Sequence, residues 1–212
     1  MPIVILDKEL VFPPADQAEP DGLLAIGGDL SRERLLLAYH KGIFPWYEGD
    51  HILWWNPDPR FVLFPAELKI SKSMQQLFRK NEFDFTMDQN FAGVIANCKS
   101  IGRKGQQGTW ITDAVRDAYI DLHQEGYAHS AECWYKGELV GGLYGVRIGK
   151  IFFGESMFSK MGNASKFAFI KLMQHFITEG LELVDCQVYT EHLESLGARM
   201  IPRDEFLQRI GA

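Results

Sequence analysis

The sequence lacks most of the motifs that announce a chemistry. It has three cysteines, Cys98, Cys133 and Cys186, far apart in the chain. An odd, scattered set is neither a disulfide framework nor a CxxC metal site, so a reduced, cytoplasmic protein is expected. No apolar run is long enough to span a bilayer. The start, Met1-Pro2-Ile3-Val4-Ile5-Leu6-Asp7, has no basic n-region and no cleavable apolar core, so no signal peptide is expected. There is no P-loop and no GxGxxG, which argues against ATP or a dinucleotide. There is no HExxH and no Cys/His pair at zinc spacing, so no metal is expected. No Gly-x-Ser-x-Gly elbow marks a serine nucleophile. His123 and His129 stand six apart, on neither one helical face nor a ligand spacing, and are read as structural. Repeats and low-complexity tracts are also missing.

What remains is an ordinary globular composition: 212 residues, 46% hydrophobic and 24% charged. That length gives one large domain or two small ones with a sizeable core. The net charge of −6 speaks, taken whole, against a polyanionic partner. Its distribution is uneven. Residues 1–68 carry five bases and eleven acids, and residues 105–212 carry ten and fourteen. Residues 69–104 carry seven bases against three acids. Two readings of that segment stand: a solvated helix face, or a phosphate-binding patch on an otherwise acidic protein.

The first sixty residues are dense in Pro, Gly and Trp, which implies turns and short elements around one clear helix. Ser31 caps that helix, which runs from Arg32 to His40 and stops at Gly42. From about residue 60 the texture changes. Arg60-Phe61-Val62-Leu63-Phe64 reads as a strand, Ser71 to Arg79 as a helix, and Thr112 to Glu125 as a helix capped by Thr112 and ended by Gly126. Strands follow at 131–135, 139–146 and 150–155, then a helix from Asn163 to about Thr178 and a buried strand over 183–188. This order predicts an α+β domain of the acyltransferase type, a mixed or antiparallel sheet packed against helices, with a domain boundary near residue 62.

Four places hold residues suited to chemistry. In Leu183-Val184-Asp185-Cys186-Gln187-Val188, strand alternation puts Asp185 and Gln187 on one side. A carboxylate and an amide in an apolar strand are costly to bury unpaired, so they form a core pair or a polar site. In Phe152-Phe153-Gly154-Glu155-Ser156-Met157-Phe158-Ser159, alternation puts Phe153, Glu155 and Met157 on one face. That is a strand end with an exposed acid, or an apolar pocket beside one carboxylate, fit for an apolar ligand bearing an amino group. Asn163-Ala164-Ser165-Lys166 opens a helix, with Asn163 as the expected cap. Trp46, Trp54, Trp55 and Trp110 cluster near turns, as core or as stacking platforms for a base.

Several long motifs occur together in one order: Pro20-Asp21-Gly22-Leu23-Leu24-Ala25-Ile26-Gly27-Gly28-Asp29-Leu30, Tyr39-His40-Lys41-Gly42-Ile43-Phe44-Pro45-Trp46, and Trp54-Trp55-Asn56-Pro57-Asp58-Pro59-Arg60. Gly108-Thr109-Trp110-Ile111-Thr112, Gly141-Gly142-Leu143-Tyr144-Gly145-Val146, the segment Phe153 to Ser159, and Asp185-Cys186-Gln187 complete the set. On these the chain resembles the bacterial leucyl/phenylalanyl-tRNA–protein transferase family, from about residue 12 to 206. The resemblance implies a small N-terminal α/β domain, residues 1–62, and a C-terminal acetyltransferase-like (GNAT-like) domain, residues 63–212, with a mixed sheet and packed helices. It implies an enzyme that moves Leu or Phe, less well Met, from Leu-tRNA or Phe-tRNA to proteins with N-terminal Arg or Lys, making an N-end-rule degradation signal. The implied enzyme is monomeric, needs no membrane and no cofactor, and uses a donor ester that is already activated.

The same resemblance assigns residues. Leu143, Phe152, Met157, Phe169, Leu172 and Val184 would line the pocket for the Leu or Phe side chain, with Gly154 flanking it. Glu155 would meet the aminoacyl amino group or the acceptor. Asp185 would polarise Gln187, and the pair would orient the attacking amine, since an amide is a poor general base. Trp46 and Trp110 fall at positions associated with the tRNA 3′-terminal adenosine, and Lys72, Arg79 and Lys80 on the helix associated with the acceptor stem. Two rivals remain open: an acetyl-CoA-dependent N-acyltransferase, disfavoured because Ser159-Lys160-Met161-Gly162-Asn163-Ala164 is no pyrophosphate loop, and a non-catalytic tRNA- or degron-binding module.

Overall fold

A computed structural model describes residues 3–101 and 110–212. The motif residues Gly108 and Thr109 and the basic residues Arg103 and Lys104 lie outside the described residues. Among the described residues the strands form two sheets. The first takes β1 (Val4–Leu6), β2 (Leu23–Gly27), β3 (Phe44–Pro45) and β4 (Leu53–Trp55) in the order β1-β2-β4-β3, with only β1 and β2 parallel. Between β2 and β3 runs α1 (Arg32–His40), capped by the Ser31 hydroxyl, which accepts from the Arg34 N–H.

The second sheet takes β5 (Arg60–Leu63), β6 (Asp84–Met87), β7 (Ala128–Tyr135), β8 (Glu138–Ile148), β9 (Ile151–Ser159), β10 (Leu183–Gln187) and β11 (Arg199–Ile201). Their order is β11-β5-β10-β9-β8-β7-β6, antiparallel except where β9 meets β10. The helices are α2 (Lys72–Lys80), α3 (Phe91–Ser100), α4 (Asp113–Gln124), α5 (Ala164–Thr178), the one-turn α6 (Glu191–Glu194) and α7 (Arg203–Ile210). Thr112 caps α4 as expected. The expected Asn163 cap is corrected: Asn163 sits in the left-handed region (φ 69°) with no capping bond. The Ser159 hydroxyl instead accepts the Ser165 N–H at 3.3 Å. The chain is thus α+β, as the element order predicts. All three cysteines are buried and none forms a disulfide.

Two apolar clusters cover opposite faces of the large sheet. One joins α1, β4, α3 and α4 to Tyr144, Phe153 and Phe158. The other joins α5 to Leu143, Phe152 and Val184. The N-terminal sheet therefore shares a core with one face of the larger sheet.

Two irregularities shape the centre. In the β8–β9 ladder Gly145 faces Gly154 and Tyr144 faces Ser156, so Glu155 is the extra residue of a bulge. In the β10–β5 ladder Asp185 faces Val62 and Gln187 faces Phe61, so Cys186 is extra. The parallel β9–β10 pairing ends at Phe153 and Asp185, and beyond it a cleft opens. The first bulge corrects the simple alternation: Phe153 packs in the α1/α4 cluster, whereas Met157 packs against the α5 cluster.

Candidate active site

The cleft holds a cavity of about 480 Å³. Leu143, Met157, Phe169 and Val184 supply an apolar wall, and Gly154, Glu155, Asp185 and Gln187 line it as well. A Cβ at Gly154 would stand 3.6 Å from the Asp185 carbonyl, an ordinary contact. Two expected pocket residues are corrected. Phe152 and Leu172 are fully buried and do not line the cavity. Phe152 packs its ring on Phe176, at 5.5 Å between centroids, so it forms the layer behind the wall.

Glu155, aimed by its bulge, meets groups from three other elements. Its Oε1 accepts from the Tyr39 hydroxyl of α1 at 2.8 Å and from Gln187 Nε2 of β10 at 2.9 Å. Its Oε2 accepts from the Tyr119 hydroxyl of α4 at 3.0 Å. The Tyr39 and Tyr119 hydroxyls also touch each other. All three donors are neutral. Burial therefore dominates and pushes the Glu155 carboxyl up to about 7, even though Tyr39, Tyr119 and Gln187 pull it down. Both phenols are pushed well above their ordinary value, first by burial and then by the Glu155 charge.

Asp185 and Gln187 both line the cavity, with the bulge at Cys186 between them, but their link is not the expected one. Arg60 binds the Asp185 carboxylate with both arms, Nε to Oδ1 at 2.8 Å and Nη2 to Oδ2 at 2.6 Å. Neither side chain is exposed. The Arg60 guanidinium lies between the Phe44 and Phe206 rings, 4.6 Å from each centroid. Asp185 Oδ1 also accepts the Gln187 backbone N–H at 2.9 Å. Gln187 has φ 64°, a left-handed conformation that is uncommon for a residue other than glycine. Asp185 thus fixes the backbone of Gln187 and aims its amide, rather than polarising that amide through direct contact.

The remaining expected residues sit elsewhere. Trp46 and Trp110 do not line the cavity. Trp46 is half-buried against Trp55, and Trp110 is 6% exposed. On α2, Lys72, Arg79 and Lys80 are exposed while Met74 is buried, so the cations share the outer face. Lys171 of α5 adds a cation beside them, above the Phe78 ring at 5.6 Å.

Sequence reasoning missed Tyr39, Tyr119 and Arg60. The first two look like ordinary stripe residues of two helices, and their only signal is that a buried tyrosine needs a partner for its hydroxyl. Arg60 opens an otherwise apolar strand, and its signal is the need of a buried cation for a counter-charge.

Comparison with known proteins identifies the family of the chain. The family model described as "Leucyl/phenylalanyl-tRNA protein transferase" matches residues 62–211, and that of the same family's N-terminal domain matches residues 28–58. Similar relatives named leucyl/phenylalanyl-tRNA–protein transferase include that of Syntrophobacter fumaroxidans, 57% identical over 98% of this chain and 89% of that one. That of Syntrophus aciditrophicus is 58% identical over 97% of this chain and 87% of that one. That of Flavobacterium johnsoniae is 56% identical over 95% and 96%. Among solved structures, a GCN5-related N-acetyltransferase from Kribbella flavida overlays with a TM-score of 0.40 and 10% identity, covering 69% of this chain and 54% of that chain. On its own motifs and on these matches, the chain belongs to the leucyl/phenylalanyl-tRNA–protein transferase family.

Proposed function

We propose that the chain transfers Leu or Phe, less well Met, from aminoacyl-tRNA to the α-amine of proteins that begin with Arg or Lys, creating an N-end-rule degradation signal. The observation that carries this reading is one cavity with an apolar wall and a polar end: Leu143, Met157, Phe169 and Val184 on one side, Glu155 and Gln187 on the other. The wall suits a large aliphatic or aromatic side chain. A missing methylene there is worth about 1–3 kcal/mol, which favours Leu and Phe over Val or Ala without strict exclusion.

The chemistry follows from the polar end. An α-ammonium titrates near pH 8, and a carboxyl near 7 can take its proton, so Glu155 frees the nucleophile. Gln187 orients the amine. The amine nitrogen attacks the ester carbonyl, the bond to the ribose oxygen breaks, and that oxygen leaves with the second amine proton. The exposed cations Lys72, Arg79 and Lys80, with Lys171 beside them, are suited to the acceptor-stem phosphates. The half-buried Trp46 ring is the better placed of the two tryptophans to meet the terminal adenosine. Substrates of this kind place the reaction in the cytoplasm. Among the described residues no helix is long and apolar enough to cross a membrane.

The test is transfer of labelled Phe from Phe-tRNA to peptides beginning with Arg, Lys or Ala, at low salt. Label is expected on the Arg and Lys peptides and not on the Ala peptide. A folded protein that transfers to none of them contradicts the reading. Incorporation from acetyl-CoA instead would revive the N-acyltransferase rival.

A further inference from the structure

The contacts around Glu155 do not balance when its protons are counted. Tyr39 and Tyr119 each touch the carboxylate, and they also touch each other. Three oxygen–oxygen contacts close the triangle, but two phenols bring only two protons. With Glu155 ionised and both phenols donating to it, the Tyr39–Tyr119 contact has no hydrogen. Two lone-pair oxygens then face each other in a site where neither tyrosine is exposed. One more proton removes the conflict. Tyr39 then donates to Tyr119, Tyr119 donates to Oε2, and the carboxyl O–H at Oε1 donates to Tyr39. Gln187 Nε2 still donates to Oε1 through its remaining lone pair.

We propose that Tyr39 and Tyr119 are positioning residues for the transfer reaction, closing with Glu155 a three-oxygen ring that stores the proton taken from the acceptor α-ammonium. This inference rests on the aminoacyl-transfer reading above. The step balances: the ammonium gives one proton to the Glu155 carboxylate and becomes a free amine. After the ester bond has broken, Glu155 returns that proton to water. The phenols serve both states of the carboxyl. They donate to the anion and hold its affinity for a proton down against burial, and they rotate to accept and pass on the carboxyl proton once it arrives. Because burial keeps both phenols protonated, they remain donors over the working range.

The other groups that face Glu155 fit this role. Tyr144 of β8 meets the Tyr119 ring edge-on at 5.5 Å and closes the site from the sheet. Asp185 of β10 adds a negative charge that favours the protonated carboxyl, with Arg60 of β5 opposing it at bonding distance. His192 of α6 lines the cavity, and burial and Lys166 lower its pKa, which keeps it neutral near pH 7. The Cys186 thiol is pushed up by burial and stays neutral. The ring also ties the N-terminal sheet's helix to the chemistry, since Tyr39 comes from α1.

The test is the pH dependence of single-turnover transfer in the wild type, Tyr39→Phe, Tyr119→Phe and the double variant. Each single change leaves the apolar ring in place and breaks the oxygen triangle. The acid limb should move about one unit to higher pH in each single variant, with the rate at pH 7 falling about fivefold and recovering at pH 9. The double variant should shift further to higher pH than either single variant, since each phenol removed takes one donor from the carboxylate. A limb that stays in place while transfer proceeds overturns the proposal. An infrared titration of the protein alone covers variants that fold poorly. The wild type should show a protonated-carboxyl band lost near pH 7 and missing in Glu155→Gln. No such band between pH 5 and 9 also overturns the proposal. That spectrum needs no substrate, so it separates failure of the ring from failure of the transferase reading.

Discussion

The Asp185 corner and the Glu155 end of the cavity stand on adjacent parallel strands, each beside a bulge; the Asp185 carboxylate is fully buried, and Glu155 is half-buried at the cavity. They are held in opposite ways. Asp185 meets a full counter-charge, with both carboxylate oxygens on Arg60 and one also on the Gln187 N–H. Glu155 meets two phenols and an amide, none of them charged. A carboxylate clamped by both arms of a guanidinium is fixed in place and serves as an anchor. One held by neutral donors has its charge only partly offset, and it changes protonation in the range where an α-amine does. The comparison thus divides labour between two acids that look equivalent in the sequence.

The most disruptive way to break this contrast is to remove the cation. Arg60→Met should destabilise the fold by about 3–5 kcal/mol in urea unfolding, because it strands a buried charge. Transfer should fall with it while the dissociation constant for Phe-tRNA changes little. Adding Asp185→Leu should restore much of the stability but not the activity, since Gln187 loses its backbone anchor. Full activity in that double variant would show that Asp185 does not aim Gln187.

Glu155 carries a pH dependence of its own. Its folded value, about 7, lies above the ordinary 4.5, so between these values the native state holds a proton that the unfolded chain has released. This contribution is full below pH 4.5 and is lost as pH rises through 7, worth about 3 kcal/mol in all. Glu155→Gln should flatten that part of the stability–pH curve in denaturant titrations at pH 4 to 8. An unchanged slope would place the titration elsewhere.

The apolar wall sharpens the contrast between binding and chemistry. Val184→Phe narrows the cavity beside Leu143 and Phe169. Phe transfer should drop about 10- to 200-fold in kcat/KM, more than Leu transfer, with the pH limb unmoved. The smallest effect is expected at the surface. Replacing Lys72, Arg79 and Lys80 by Gln should raise KM for aminoacyl-tRNA at moderate salt. It should also reduce the log–log salt slope by about 0.7–0.9 for each phosphate that is no longer neutralised. The single-turnover rate at saturating tRNA should stay the same.

Much of this architecture is legible along the chain because it depends on local rules. Ser31 and Thr112 cap helices whose side chains follow the helical period, and the long strands β7 to β9 are bounded by turns at Gly137 and Gly149. Asp185, Gln187 and Glu155 stand out because polar groups in apolar strands require partners. What is not legible is the identity of those partners. Arg60 lies 125 residues from Asp185, and Tyr39 lies 116 residues from Glu155. The bulge at Glu155 is hidden for a related reason. A side chain at Gly145 would bring its Cβ to 2.2 Å from the Phe153 carbonyl, so the close strand approach is set across the ladder. That bulge resets the alternation and turns Met157 to the face of Phe152 rather than that of Phe153. The cation on Asp185 is the finding that most changes the reading of the site, for it turns an expected relay into a backbone anchor.

The most direct test of the division between the two acids is the pH–rate profile of single-turnover Phe transfer for Glu155→Gln beside the wild type, with folding checked at each pH. The wild type should show an acid limb with a midpoint near 7, and Glu155→Gln should lose that limb together with about 10²- to 10⁴-fold of its rate at pH 8. A Glu155→Gln protein that transfers Phe at the wild-type rate with the same limb would contradict the account.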